Sequence, residues 1–528
     1  MSPMHLHDTL SRSMRAFEPS PRGGPVLFYS CGPTVYDDAH IGNFRSFLNA
    51  DMLRRALEFL GHRVRHVMNI TDVGHMTEDD NADGGGEDKM AVAGRRIAEA
   101  KKSGALPAGT EIDPSDPYAI ADFYSGRFLE DARALGLKVA HEAQADPTLM
   151  PRPTHCVPQM VALVSRLVDR GHAYVAADGV VYFDVRSFDR YGDLSGNTLE
   201  ALREGEGGRI SAAHQSVKRH PADFMLWKPD PKHIMRWDSP WGEGYPGWHL
   251  ECSAMAAMTL GEEIDLHSGG EDNIFPHHEC EIAQSCCGFG QPTFSRYWFH
   301  TRHLIVEGQK MSKSKGNFFT ARDLFARGIS PGALRLEIVR THYRLNANFT
   351  MQGVQDCQRQ IDRWKRAGEA LAARVGVSWT GADDLGGAKD AAALAARGDA
   401  TAAATTGPFE SALAAFGDAL ADDLNISKAM AALNIAAAAE PGGDPARELA
   451  ALTRMDAALG VISRSTPLAS AAPRTDGEFA ARVDGLLKDR AAARAAKDFA
   501  ASDRIRDELK SMGVVVKDGP QGATWSRV

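Results

Sequence analysis

The sequence predicts an α/β protein: an open parallel sheet interrupted by an insertion, then a helical bundle, then a small C-terminal α/β module. Three observations carry this. A strand–helix–strand run occupies residues 26–70, strand–helix alternation resumes after residue 243, and from Ser330-Pro331 onward the chain turns strongly helical. The expected units are residues 1–154 and 244–328 as the two halves of the sheet domain, 155–243 as the insertion, 329–465 as the bundle and 477–528 as the module.

Val26-Leu-Phe-Tyr-Ser30 is a short apolar strand, left through Cys31-Gly-Pro-Thr34. A helix is expected over 43–60, with Phe44, Phe47, Leu48, Met52, Ala56, Leu57 and Leu60 at helical spacing and Gly61 to end it. Val64 to Ile70 is the next strand, closing at Thr71-Asp72. Ligands of parallel sheets bind beyond the carboxyl ends of the strands. Cys31, His40-Ile-Gly42-Asn43 and Thr71-Asp72 all fall at that edge. Asp79-Asp-Asn81-Ala-Asp83-Gly84 imitates half a calcium loop, but Met90 stands where a bidentate Glu is required, so a solvated loop is expected. Asp116-Pro117 starts an amphipathic helix that ends at Gly136. Within the insertion, a helix over 157–168 precedes a hairpin turning at Asp178-Gly179, and Asp223 to Lys228 is another strand. Tyr297 to His300 and His303 to Val306 are strands that feed the loop Lys310-Met-Ser-Lys313-Ser-Lys315-Gly-Asn317. In the helical half, 378–407 and 465–476 are expected to be loops or linkers.

A chain of 528 residues allows roughly three or four domains with ample core. Its 43% hydrophobic and 24% charged content is that of a soluble globular protein. A net charge of −9 means that any nucleic-acid binding must use local basic patches. Seven irregularly spaced cysteines argue for a reducing compartment rather than a disulfide framework. With no signal-like start and no run of membrane-spanning length, a cytoplasmic protein is expected.

Chemistry concentrates between Gly247 and Glu281. Pro276 can open a helix, which sets His277 and Glu281 at i and i+4 on one face, a metal-ligand spacing. Cys252 would add a thiolate, and zinc suits a mixture of S, N and O donors. Cys280 shares a face with His277 and competes, so local spacing leaves the ligand set open. His40-Ile-Gly-Asn43 lies at a helix start, where free N–H groups and the dipole suit phosphate; the simpler reading of His40 is a helix cap. The lysine–serine loop can close over a polyphosphate or be an ordinary basic turn.

Taken together, His40-Ile-Gly-Asn43 and Lys310-Met-Ser-Lys-Ser314 resemble the two signatures of class I aminoacyl-tRNA synthetases. Cys31-Gly-Pro-Thr-Val-Tyr-Asp37, Pro246-Gly-Trp-His-Leu-Glu-Cys252, Phe275-Pro-His-His-Glu279 and Asp518-Gly-Pro-Gln-Gly-Ala-Thr-Trp525 narrow the resemblance to cysteinyl-tRNA synthetase, over almost the whole chain. The resemblance implies a Rossmann-like catalytic domain, an acceptor-end insertion, an anticodon-binding C-terminal module and a monomer. The implied partners are L-cysteine, tRNA(Cys) and ATP with Mg²⁺.

It further implies one zinc held by Cys31, Cys252, His277 and Glu281, with Cys280 left out. This zinc recognises the substrate thiolate, which it binds far better than a serine hydroxyl. Four protein ligands is one more than usual in a catalytic site, so substrate would enter as a fifth. Thr71, Trp248, His267 and Asp272 are implied to line the cysteine and adenylate pocket. His40, Gly42, Asn43 and Lys313 would hold ATP, with Lys310 and Lys313 stabilising the α-phosphoryl transition state. Arg494, Phe499, Asp503, Arg506 and Asp518 match anticodon-reading positions. Asn43 replaces the His commoner at the fourth tetrad position, Ser268 replaces a usual Gly, and Val73-Gly-His-Met-Thr77 suggests a divergent branch. Two alternatives remain: a paralogue joining cysteine to an amino-sugar, as in mycothiol biosynthesis, and a catalytically silent tRNA-binding homologue.

Overall fold

The computed structural model describes the chain except residues 1–2, 22, 75–86, 104–105, 107–109, 201–216, 313–316, 399–405, 469–475, 496–497, 499–501, 504, 507–508, 510–513, 520–521 and 528. The calcium-loop imitation, Lys313 and Phe499 lie outside the described residues.

A short hairpin, β1 (His5–Asp8) and β2 (Ser13–Ala16), precedes β3 (Val26–Ser30), α1 (Ile41–Phe59) and β4 (Val64–Met68). Then come α2 (Lys89–Ser103), α3 (Pro117–Ala134), α4 (Lys138–Glu142) and α5 (Val157–Asp169). Asp116 caps α3 through Tyr118 N, and Gly136 follows it at φ +79°, as the Asp-Pro start and glycine stop predict. The insertion is an antiparallel sheet of β5 (Ala173–Val175), β6 (Val181–Phe183), β7 (Phe224–Pro229) and β8 (Gly244–Pro246), in that order. The chain continues through α6 (Trp248–Thr259), β9 (Ile264–Gly270), α7 (Glu279–Phe289), β10 (Ser295–Thr301) and β11 (Leu304–Val306).

The main sheet is fully parallel in the order β10-β9-β3-β4. β3 is the pivot: α1 carries the chain to β4 on one side, and the later strands build out on the other. The crevice between the carboxyl ends of β3 and β9 is therefore the switch point where such sheets bind ligands. Both strands are buried almost throughout, as expected for parallel strands covered on both faces. The insertion has its own apolar cluster, including Leu163, Phe183, Phe224, Leu226 and Trp227, and it shares α6 and α7 through Leu250, Ala254 and Ala283. That shared packing fixes the inserted sheet against the two helices that carry the candidate ligands.

The helical half comprises α8 (Ala321–Ala326), α9 (Pro331–Val339), α10 (Met351–Val375), α11 (Gly387–Ala395), α12 (Pro408–Ala421), α13 (Ile426–Ala438) and α14 (Pro445–Leu459). Two features depart from the expected plain bundle. Strand β12 (Ala347–Phe349) pairs in parallel with β11, stitching the bundle to the loop that carries Lys310. Residues 387–395, expected to lie in a loop, form α11, because Ala391 seats its small side chain in the core. α15 (Asp476–Ala495) and the antiparallel pair β13 (Val514–Gly519) and β14 (Gly522–Arg527) make the C-terminal module, with Val483 and Leu509 at its small core. Asp518 and Gly519 are the last residues of β13, paired with Ala523 and Gly522 of β14.

Candidate active site

The loop after β3 is shaped by close backbone approach. A side chain at Gly32 would stand 1.7 Å from Asn69 O, so only glycine fits there. The Asn69 side chain accepts from Gly32 N at 2.9 Å and donates to Thr71 Oγ1 at 2.9 Å. This locks Cys31 beside Thr71 at the switch point, where Cys31 N donates to Ser268 O of β9 at 3.0 Å. The Ser268 hydroxyl itself is buried with no hydrogen-bond partner among the described residues.

On the facing side, α6 brings Cys252 and α7 brings Glu281. Phe275 is extended, the conformation favoured before proline, and a wide turn over Ile274–His278 runs into α7. Regular helix therefore starts at Glu279 rather than at Pro276, yet His277 and Glu281 still meet, Nε2 to Oε1 at 2.9 Å. Cys31 Sγ lies 3.9 Å from Cys252 Sγ and 3.9 Å from Glu281 Oε1. Donor atoms of Cys31, His277, His278 and Glu281 all fall within 4.8 Å of one another. Three of the four expected ligands fall in this group, Cys252 adjoins it through Cys31, and His278 takes the fourth place, 3.2 Å from Cys31 Sγ. Cys280 does not. Its sulfur packs against Tyr191 Oη at 3.5 Å, inside the insertion's cluster.

The donor set fits zinc. Two thiols, an imidazole and a carboxylate are buried together, and tetrahedral Zn–S bonds of about 2.3 Å separate two sulfurs by about 3.8 Å, close to the distance found. The protons are already unevenly held. Hydrogen bonding from Cys31 is the main cause lowering Cys252 to about 7, with His277 assisting against burial. Burial pushes Cys31 well up, so of the two thiols Cys252 ionises the more readily. Burial opposes ionisation of Glu281, but His267 and His277 hold it down to about 2. His277 is raised to about 10 despite burial, by Glu281 and Cys252.

Around these donors stand His267 and Trp248, which the resemblance implied, and His249, which the sequence does not advertise. His267 Nε2 meets Glu281 Oε2 at 2.7 Å, and its ring stacks on Trp298 at 4.6 Å. His249 Nδ1 lies 3.0 Å from His277 Nδ1. Trp248, half-buried, stacks on His277 at 4.3 Å. Thr71, Trp248 and His267 are thus assembled with the metal candidates. Asp272 is not: its side chain is 66% exposed and its nearest ionic partner is His303, at 3.6 Å.

The second pole is the start of α1. His40 Nδ1 accepts from Asn43 N at 3.2 Å while Asn43 Oδ1 accepts from His40 N at 3.1 Å, a reciprocal capping box. Asparagine at the fourth tetrad position thereby has a structural role: its short amide reaches the cap N–H. Ile41 N donates to Phe319 O at 3.0 Å, and the His40 ring meets Phe318 at 5.1 Å. A side chain at Gly42 would come within 2.5 Å of Met311 Cε. The two signatures, some 270 residues apart in sequence, are therefore in contact. Asn317 closes the lysine loop on itself, accepting from Ser312 N at 2.9 Å and donating to Lys310 O at 3.2 Å. Lys310 is exposed.

A catalytic-domain family, the tRNA synthetases class I (C) catalytic domain, matches residues 18–359, and the cysteinyl-tRNA ligase anticodon-binding domain matches residues 476–525. The chain belongs to the cysteine–tRNA ligase family. Cysteine–tRNA ligase of Salinibacter ruber is 41% identical, with 99% of this chain and 98% of that protein covered. That of Chlorobaculum tepidum is 39% identical over 100% and 99%, and that of a Thermus thermophilus strain is 38% identical over 98% of both. Among solved structures, the LeuRS–tRNA complex of Agrobacterium radiobacter covers 85% of each chain at 11% identity with a TM-score of 0.50, a likeness of fold. No helix among the described residues is long and apolar enough to cross a membrane.

On the C-terminal module, Arg494 is exposed on α15, and Asp518 stands on β13. Asp503 and Arg506 form an exposed pair at 3.2 Å.

Proposed function

We propose that this protein joins L-cysteine to tRNA(Cys) in two steps. A carboxylate oxygen of cysteine attacks the α-phosphorus of ATP and pyrophosphate leaves. A terminal ribose hydroxyl of the tRNA then attacks the acyl carbon and AMP leaves. The observation that carries this reading is the buried Cys31–Cys252–His277–Glu281 group at the switch point, with the joined His40 and Lys310 motifs following the carboxyl end of the same strand β3.

In this reading Cys31, Cys252, His277 and Glu281 hold zinc, which when bound supplies a soft Lewis acid that favours a thiolate over a hydroxyl. Trp248 and Thr71 wall the cysteine side, and His267 holds the Glu281 carboxylate in orientation. The capped start of α1 offers His40, Gly42 and Asn43 to the phosphates of ATP with Mg²⁺, and Lys310 and Lys313 meet the charge that develops on the α-phosphoryl group and on pyrophosphate. Asp272, exposed beside His303, lines the adenylate side of the pocket in this reading. Residues 1–154 with 244–328 act as the catalytic domain, 155–243 face the acceptor end, and 329–465 set the spacing to the module at 477–528.

Lys310→Ala is expected to lower cysteine-dependent ATP–pyrophosphate exchange by about 10²–10³-fold, the order found when a donor to developing charge is removed. The effect should fall on kcat, because Lys310 reaches the phosphates only as charge develops. Unchanged exchange in Lys310→Ala would remove the lysine loop from the chemistry.

Arg494, Phe499, Asp503, Arg506 and Asp518 read the anticodon in this account, since unstacked bases are recognised by stacking and edge hydrogen bonds. Removing residues 476–528 is expected to leave exchange intact and to cut kcat/KM for tRNA charging by about 10²-fold or more, at about 1–3 kcal/mol per stacked base. The amino-sugar alternative is disfavoured by this module, for which a small acceptor has no use. Equal charging with and without it would reopen that alternative.

A further inference from the structure

Each of three donors at the candidate metal site leans on a second histidine: Cys31 on His278, His277 on His249, and Glu281 on His267. The first of these continues outward. His278 Nδ1 lies 2.8 Å from His300 Nε2, and His300 Nδ1 lies 2.8 Å from Thr9 Oγ1. Thr9 follows β1, and its N–H donates to Trp298 O of β10 at 2.9 Å. The N-terminal hairpin thus places the outermost hydroxyl of a chain whose inner end touches the Cys31 sulfur.

We propose that Thr9, His300 and His278 form a one-way hydrogen-bond relay that holds an N–H donor on the Cys31 sulfur and so sets how strongly Cys31 donates to the metal. The inference rests on the metal reading above. Its polarity follows from the chemistry of the ends. A metal-bound thiolate only accepts, so His278 must present Nε2–H to it. A neutral imidazole has one N–H, which leaves His278 Nδ1 bare, able only to accept from His300 Nε2–H. His300 Nδ1 is then bare in turn, and the Thr9 hydroxyl is the donor that satisfies it. His278 is fully buried and His300 is 7% exposed, and each ring pairs with the other rather than with a carboxylate. Reversing any one link would set two donors or two bare nitrogens face to face. Outer partners of this kind fix ligand orientation and tune the metal. Thr9, His300 and His278 are positioning residues here.

The test uses the full-length chain loaded with cobalt(II) in place of zinc, and reads the thiolate-to-cobalt charge-transfer band together with metal affinity against a competing chelator. His300→Leu removes the donor that keeps the proton of His278 on Nε2. It is expected to move the band to longer wavelength, since a sulfur relieved of its hydrogen bond donates more strongly, and to weaken zinc binding by about tenfold or more, because the orientation of the ligand is no longer fixed. His300→Gln returns an amide donor near the Nε2 position and is expected to restore both. Thr9→Val should shift the band in the same direction by less, and Thr9→Ser should restore it. If His300→Leu does not fold, the half-buried Thr9 pair decides alone. Bands of Thr9→Val and His300→Leu that superimpose on that of the wild type, with cobalt fully bound, overturn the relay while sparing the metal reading. Failure of the wild-type chain to take up cobalt or zinc overturns both.

Discussion

Cys252→Ser is expected to abolish cysteine-dependent ATP–pyrophosphate exchange and to lower zinc content below one per chain. The loss should exceed the roughly 100-fold that follows removal of a mere outer partner of a metal. The substitution exchanges a sulfur for a smaller oxygen at a position 2% exposed, so the fold is expected to persist and the effect to be chemical. Cys252 is the donor with the thiol lowered to about 7, held there chiefly by the Cys31 hydrogen bond and by His277. A serine hydroxyl in that place stays protonated at neutral pH and is a hard donor, so zinc loses its best ligand. Metal analysis, exchange kinetics and a thermal melt on the same preparation separate the outcomes. A stoichiometric zinc with exchange within tenfold of wild type would remove Cys252 from the site.

Asp51→Ala is expected to destabilise the protein by about 3–5 kcal/mol, the cost of leaving a buried charge without its partner. Asp51 Oδ2 accepts from Arg55 Nε at 2.7 Å and from Arg335 Nη2 at 2.6 Å, and Oδ1 accepts from Lys138 N at 2.9 Å. Arg335 also donates to Leu459 O at 2.7 Å, and Arg55 to Ala457 O at 2.8 Å and Gly136 O at 2.7 Å. One carboxylate therefore anchors two guanidiniums that bind α1 to α9, to the end of α3 and to α14. These side chains are at most 1% exposed, so water cannot replace the missing carboxylate. Burial works against ionisation of Asp51, but Arg55 and Arg335 hold its carboxyl far below the usual range. Burial also draws Arg335 down to about 10, which still leaves it cationic at neutral pH.

The sign of the pH dependence follows. A depressed carboxyl contributes stability that is fully present above its unfolded value, about 3.9, and lost as pH falls toward the folded value. Urea denaturation should show the gap between wild type and Asp51→Ala constant from pH 5 to 8 and narrowing below about pH 4. A gap that widens in acid, or one smaller than about 1 kcal/mol at neutral pH, would contradict the role given to this network.

What the sequence made legible follows local rules. Asp116-Pro117 and Gly136 bounded α3 because caps and stops act within a turn. The His40 tetrad marked a helix start for the same reason, and the structure makes His40 both a cap and a neighbour of the lysine loop. Ligand candidates could be read because His277 and Glu281 are one turn apart, but spacing alone left Cys280 in competition. The choice depends on which side of α7 faces β3, which is settled by long-range packing: Cys280 turns toward Tyr191 and the insertion. The histidine shell was illegible in the residue pattern. His249, His278 and His300 come from α6, the turn before α7 and β10, and no spacing joins them to Cys31 or to Thr9. Asn69 was missed likewise, since its role is to hold Gly32 and Thr71 together across a loop. Asp272 is a family motif position whose side chain stands in solvent, beside His303 and apart from the buried donors. α11 escaped notice because Ala- and Gly-rich sequence has little apolar periodicity to read, and its helix is held by packing.

The measurement that tests the central claim most directly is ATP–pyrophosphate exchange by zinc-loaded wild-type protein, with L-cysteine and L-serine compared at equal concentration. The account predicts exchange with cysteine and a rate with serine lower by about 10⁴-fold or more, since a site built around one polar group rejects the analogue lacking it by that order. Comparable rates with the two amino acids, or no exchange with cysteine from folded, metal-loaded protein, would contradict thiol-selective activation at the Cys31–Cys252–His277–Glu281 site.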